Sequence, residues 1–258
     1  MTPRGGAAPS GPSHDQRAEL RVVGTTGQKE VELLLDRLAD SVGRRIPRVL
    51  QVGARTSVSD RNERNWRALI AKRFGARAKF VGVDLVEGGN VDRVLDICSG
   101  PRTMKAALGE EPFDMVICCH VLEHTRAPMR AARNIENLLK PGGLAFVATP
   151  WSQAFHAAPD DYWRFSVRGL TLMFGRLEIL SSFYSGGDVG LDVAYRVERD
   201  GRPELDARAG AVEQGLFQLV FDHEDNRGVL ARQATERLPV SRTYMPTLFV
   251  NIVGQRRA

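Results

Sequence analysis

A doubly wound α/β domain with a mostly parallel sheet is the fold class this sequence predicts, and three observations predict it. Four short apolar runs, at residues 49–53, 79–84, 113–120 and 144–150, have the length and composition of strands. Stretches with apolar residues at helical spacing lie between them, as a parallel sheet covered on both faces requires. The first two runs end in Gly53 and Asp84, and ligands of an open α/β sheet bind at the carboxyl ends of its strands.

Each element follows in chain order. Val31, Leu34, Leu35, Leu38 and Val42 recur at helical spacing with charges between them, which predicts an amphipathic helix over residues 28–42. The strand at 49–53 is followed by a polar loop over 54–60. Trp66, Leu69, Ile70 and Phe74 then return to helical spacing. After the strands at 79–84 and 113–120, Met129, Ala132, Ile135, Leu138 and Leu139 predict a helix over 128–140, stopped by Gly142 and Gly143. The strand at 144–150 leads into a loop rich in Trp, Tyr and His, residues 151–168, and a short helix over 168–174. Residues 177–184 and 246–253 are the two remaining strand candidates. Between them, 185–244 reads as an insertion or cover over the site, with a helix at 209–221.

Composition narrows the class. The 258 residues suffice for one domain, expected over 19–258, after a Gly-, Pro-, Ala- and Ser-rich segment that reads as a disordered tail over residues 1–18 rather than a signal peptide. No apolar run approaches the length needed to cross a bilayer. The net charge of +5 comes from Lys and Arg scattered among acids, the pattern of a solvated surface rather than a nucleic-acid interface. Three cysteines, Cys98, Cys118 and Cys119, make no sensible disulfide framework, so a reducing, cytoplasmic setting is expected. Oligomeric state is not written in these features.

Chemistry should gather at the strand ends. Gly53 lets backbone N–H groups approach a ligand closely. At Asp84 a carboxylate can accept hydrogen bonds from both hydroxyls of a ribose, although a turn glycine and a helix-capping acid are also common structural devices. The block FDMVICCHVLEH (113–124), followed by NIENLLKPGGLAFVATP (134–150), adds the decisive pattern. It resembles the central and later motifs of class I S-adenosylmethionine-dependent methyltransferases. The resemblance extends to VLQVGARTS (49–57), FVGVDLVEGGNVDRVLDI (80–97) and FHAAPDDYWRFSVRGLTLMF (155–174), spans roughly residues 49–183, and looks most like a bacterial subgroup associated with sugar, polysaccharide or natural-product modification.

That resemblance implies a Rossmann-like sheet of seven strands and S-adenosylmethionine as cofactor. It implies that Gly53, Ala54 and Arg55 approach the methionine part, that Asp84 holds the ribose with Leu85 beside the adenine, and that Asp96, Ile97 and Cys98 flank the adenine ring. Cys119, His120 and Val121 match the strand end beneath the sulfonium. The sequence departs from the family's first motif at Gln51, which replaces an acid, and at 54–57, where Ala-Arg-Thr-Ser replaces a glycine-rich loop.

His120 and His156 are the candidate bases for removing a proton from a hydroxyl acceptor, with Asp161 as a third catalytic candidate. For His120 a structural hydrogen bond is the competing role, and for His124 the structural role is favoured. His156, Asp160, Tyr162, Trp163 and Arg164 combine polar handles and rings suited to a sugar or other polar ring. Their bland alternative is a turn cap at Asp160 or Asp161, an ion pair to Arg164, and Trp163 and Phe165 in the core. Cys98, Cys118, Cys119, His120 and His124 fit no closed zinc spacing, and adjacent strand residues face opposite ways, so no metal is expected.

The leading expectation is methyl transfer to oxygen, before nitrogen or carbon, of a small polar acceptor. Two other readings use the same features: a catalytically silent protein of this fold serving as a binding or regulatory subunit, which the altered first motif favours, and an NAD(P)-dependent oxidoreductase, which lacks its G-x-G-x-x-G here. A nucleic-acid methyltransferase rests on the basic charge alone.

Overall fold

In the computed structural model, residues 22–23, 26–55, 66–76, 78–153, 155–156, 160–186, 193–196 and 248–258 are described. The expected tail, the helix at 209–221 and most of the polar loop after Ala54 lie outside them.

A two-stranded ribbon, β1 (Val22–Val23) with β2 (Thr26–Gly27), precedes helix α1 (Gln28–Val42). The main sheet is built from β3 (Arg48–Val52), β4 (Lys79–Asp84), β5 (Arg93–Val94), β6 (Phe113–Cys119), β7 (Leu139–Ser152), β8 (Leu177–Gly186), β9 (Val193–Arg196) and β10 (Leu248–Arg256). Their spatial order is β5-β4-β3-β6-β7-β10-β8-β9. The first five run parallel, β10 runs antiparallel to both its neighbours, and β8 therefore regains the direction of β7. Seven strands thus form the expected doubly wound sheet with one reversed, and β9 adds an edge strand antiparallel to β8, out of the segment read as a cover.

Alternation along β6 shows how the sheet is covered twice. Met115 and Ile117 face a core shared with Val31, Leu34 and Leu38 of α1 and with Trp66 and Ile70 of α2 (Trp66–Phe74). Val116 and Cys118 point the other way. They meet Met104 and Leu108 of α3 (Pro101–Leu108), Ala132 and Ile135 of α4 (Pro128–Leu138), and Leu170 of α5 (Val167–Met173). Both faces of the strand are buried, which is why its sequence is a continuous apolar run rather than an alternating one.

One boundary differs from the sequence expectation. Helix α4 ends at Leu138, not at the glycine pair, and Leu139 is already extended with ψ 147°. Pro141 explains this, because its ring disfavours the helical conformation at Lys140. Gly142, at φ 77°, then turns the chain into the buried part of β7.

At the amino ends of the strands, Asp114 is 3% exposed. Lys140 Nζ donates to both its oxygens at 3.0 Å, the Arg48 backbone N–H donates at 2.8 Å, and Arg45 reaches it at 3.3 Å. This network ties the starts of β3, β6 and β7 together on the side of the sheet opposite the strand ends that carry the candidate site.

Candidate active site

The strand order reverses at β3, whose neighbours are β4 on one side and β6 on the other. A crevice at such a point is where an open α/β sheet binds ligands. Gly53 leaves β3 in the left-handed region at φ 71°, with its N–H and that of Ala54 donating to the Val83 carbonyl at 2.9 and 3.0 Å. A β-carbon on Gly53 would lie 2.3 Å from Val121 Cγ2, so the ends of β3 and β6 approach closely only because this residue has no side chain.

Asp84 closes β4. One carboxylate oxygen accepts from the Arg55 N–H at 3.1 Å and the other from the Val86 N–H at 3.4 Å, so the acid organises both flanking loops. Leu85 is exposed beside it, and the Arg55 side chain lies across Gly88. On the adjoining loop, Asp96 accepts from the Cys98 N–H at 2.8 Å, and Cys98 Sγ lies 3.6 Å from the Ala127 carbonyl. Ile97 turns its side chain into the core at 3% exposure, leaving Asp96 and Cys98 as the members of that trio with accessible side chains. Burial pushes the Cys98, Cys118 and Cys119 thiols up, so all three stay protonated at neutral pH.

His120 follows β6 with φ 55°, an uncommon conformation for a residue with a side chain. Its N–H donates to the Ala148 carbonyl at 2.9 Å, and its ring packs edge-on against Phe249 of β10. Such held outliers cluster at functional sites. A 3₁₀ turn over Leu122–His124 comes next and buries Glu123 completely. Glu123 Oε1 lies 3.6 Å from His120 Nδ1 and 3.8 Å from His124 Nε2.

The aromatic loop folds onto this turn. The Tyr162 N–H donates to the Glu123 carbonyl at 2.8 Å, Trp163 Nε1 donates to the Thr125 carbonyl at 2.8 Å, and His124 Nδ1 donates to the Asp160 carbonyl. Tyr162 also bridges Asp160 and Arg126 through its hydroxyl. His156 stacks edge-on against His124, centroids 5.0 Å apart, and its Nδ1 sits 3.3 Å from Asp161 Oδ2. The Asp161 side chain is 1% exposed and clamped by two nitrogens of Arg164, which hold its carboxyl far below the usual carboxylate range. The ion pair considered for Arg164 is therefore present, Phe165 is in the core, and Trp163 remains exposed. Asp161 stays ionised and orients His156.

Two residues at this site were not singled out from the sequence. Phe249 sits on the last strand, more than a hundred residues from His120 in the chain, and no local signal links them. Glu123 is a single acid between Leu122 and His124, with nothing in its neighbours to mark it, and the aromatic loop closes over the turn that carries it.

A family model described as a methyltransferase domain matches residues 26–186, more than half of the chain. The chain belongs to this family, within the class I S-adenosylmethionine-dependent methyltransferases, and its cofactor is S-adenosylmethionine. A curated relative, the ubiquinone biosynthesis O-methyltransferase of Caulobacter vibrioides, is 46% identical over 57 residues, 21% of this chain and 23% of that protein. The match thus spans less than a quarter of that relative's length. Similar solved structures include an S-adenosylmethionine-dependent methyltransferase from Archaeoglobus fulgidus, with TM-score 0.46, 14% identity and coverage of 87% of this chain and 94% of that one. The N-methyltransferase NodS from Bradyrhizobium japonicum, in complex with S-adenosyl-L-homocysteine, has TM-score 0.44, 11% identity and coverage of 90% and 88%.

The residues present fit the cofactor, since the side-chain-free turn at Gly53 and the carboxylate of Asp84 stand at adjoining strand ends. Gly53→Ala is expected to destabilise the protein by about 1–2 kcal/mol from the left-handed backbone, with a further cost from displacing Val121. Pairing it with Val121→Ala should recover part of that loss in a urea melt. Full additivity of the two single changes would show that the close approach does not matter.

Proposed function

We propose that this protein methylates an oxygen of a small polar acceptor, a sugar or natural-product intermediate, in the cytoplasm. The observation that carries the reading is the juxtaposition, across one crevice, of the Gly53 and Asp84 strand ends with a cluster of His120, Glu123, His124 and His156 roofed by an aromatic loop. We take 19–258 as a single domain; the segment read from the sequence as a cover, 185–244, lies mostly outside the described residues.

In this reading Asp84 accepts the ribose hydroxyls, Leu85, Asp96 and Cys98 border the adenine, and the backbone from Gly53 to Arg55 together with Cys119, His120 and Val121 lies along the methionine part. The bound cofactor supplies a methyl group on a sulfonium, which an in-line attack removes. Holding the two reactants at attack distance supplies on the order of 7–11 kcal/mol in favourable cases. His120 receives the proton of the acceptor hydroxyl, its ring steadied by Phe249 and its Nδ1 turned toward Glu123. His156, oriented by Asp161, and the exposed Tyr162 and Trp163 bind the acceptor, with Asp160 and Arg164 fixing the loop that carries them. No helix among the described residues is long and apolar enough to cross a membrane.

Calorimetric titration with S-adenosylmethionine and S-adenosylhomocysteine, followed by transfer of labelled methyl to a panel of hydroxylated sugars and phenols, tests the reading. Micromolar cofactor binding and a labelled ether product are expected. Binding without turnover on any acceptor would support the catalytically silent alternative, and no binding at all would remove the enzyme reading.

A further inference from the structure

Glu123 is fully buried, and neither of its carboxylate oxygens has a hydrogen-bond partner among the described residues. An ionised carboxylate taken out of water without such partners costs several kcal/mol, so something must compensate it. Its neighbours are imidazoles. One ligand atom from each of Glu123, His124 and His156 lies within 4.8 Å of the others. These separations are too long for direct hydrogen bonds. They approach those of donors bound to one ion at about 2.0–2.2 Å, which stand about 3–4 Å apart.

The surroundings of the two rings point the same way. His124 donates its Nδ1–H to the Asp160 carbonyl, which places its lone pair on Nε2, the atom 3.8 Å from Glu123. His156 presents Nδ1 to the buried, Arg164-clamped Asp161 at 3.3 Å, which places its lone pair on Nε2 as well. A histidine whose far nitrogen donates to a carbonyl or carboxylate is oriented as metal-ligating histidines usually are. The Tyr162 N–H on the Glu123 carbonyl keeps the turn and the loop together, so the three donors are assembled before any ion arrives.

We propose that Glu123, His124 and His156 form a binding site for one divalent transition-metal ion of the zinc class, held by two imidazoles and one carboxylate. Three protein ligands leave at least one coordination position open, the arrangement of a catalytic rather than a closed structural site. The site adjoins His120 at the end of β6, so the open position is available to an oxygen of the acceptor; that last step rests on the methyltransferase reading, whereas the ion site itself does not. The three protonated cysteines take no part: the sequence leads to no metal being expected, and of the five residues whose spacing it weighs and rejects as a zinc set only His124 is a ligand here.

The test is titration of the metal-stripped, untagged full-length protein with Zn²⁺ by calorimetry and with Co²⁺ by visible absorption. One ion per chain is expected, with micromolar or tighter binding and visible cobalt bands. His156→Ala, a change on a half-exposed loop, and Glu123→Gln, an isosteric one, should each weaken binding by about 100-fold or more. Metal-free Glu123→Gln should melt no lower than the parent, because it replaces a buried carboxylate that accepts no hydrogen bond among the described residues, yet lose the rise in Tm that Zn²⁺ gives the parent. Absence of binding, or equal binding in the parent and both variants, overturns the proposal. Titrating S-adenosylmethionine into the same preparations separates the two readings: zinc binding with no cofactor binding leaves the ion site standing and removes the methyltransferase assignment.

Discussion

Replacing Asp84 with alanine is expected to weaken S-adenosylmethionine binding by about 100-fold or more while leaving the melting temperature nearly unchanged. A carboxylate that receives two ribose hydroxyls makes two charge-assisted hydrogen bonds, each worth about 1.5–3 kcal/mol, and about 1.4 kcal/mol is a factor of ten in affinity. The same carboxylate accepts from the Arg55 and Val86 N–H groups, so its removal also releases the backbone on either side of the adenosine. Stability changes little because the residue is the last of β4 and only half-buried. Asp84→Asn, which keeps one acceptor oxygen without the charge, should fall between parent and alanine. Calorimetry on the three proteins measures the series, and an alanine variant that binds as tightly as the parent would place the ribose elsewhere.

Asp114→Ala should have the opposite signature, a large loss of stability with cofactor affinity retained in the fraction that folds. The acid is 3% exposed and receives Lys140, Arg45 and the Arg48 backbone N–H. Its removal takes away charge-assisted hydrogen bonds to the Lys140 ammonium and the Arg48 N–H, each worth about 1.5–3 kcal/mol, and leaves the part-buried Lys140 without its partner. The network joins the amino ends of β3, β6 and β7, away from the crevice, so the loss is global rather than local. In urea unfolding, the double change Asp114→Ala with Lys140→Met should cost less than the two single changes added together, because the stranded cation goes as well. Strict additivity would mean that the two groups do not interact.

Much of this architecture is legible in the chain because it is local. The runs at β3, β4, β6 and β7 are mostly apolar, most continuously in β6 and the second half of β7 where both faces are covered, and α1 carries a single apolar stripe since only one of its faces is. Gly53 and Asp84 stand out because a side-chain-free turn and an acid at a strand end are visible in one dimension. Helix α3 was not, as eight residues with only Met104 and Leu108 buried give too short a period to detect. Two-residue β5, with both side chains exposed, gives no signal. The glycine pair is the strong stop signal in the sequence, yet α4 ends at Leu138 because Pro141 acts earlier, through the backbone of Lys140.

The sequence by itself determined the alternation of strands and helices, the family and the strand-end residues Gly53 and Asp84 proposed to meet the cofactor, since periodicity and strand-end residues express short-range physics. Tertiary structure alone decided that β10 enters the sheet reversed between β7 and β8, bringing Phe249 against His120. It alone decided that Glu123 is buried among His120, His124 and His156, because that burial follows from a loop nearly forty residues away bonding back onto the turn. Contacts of that range depend on the whole packed sheet and its loops, and no window of neighbouring residues carries them.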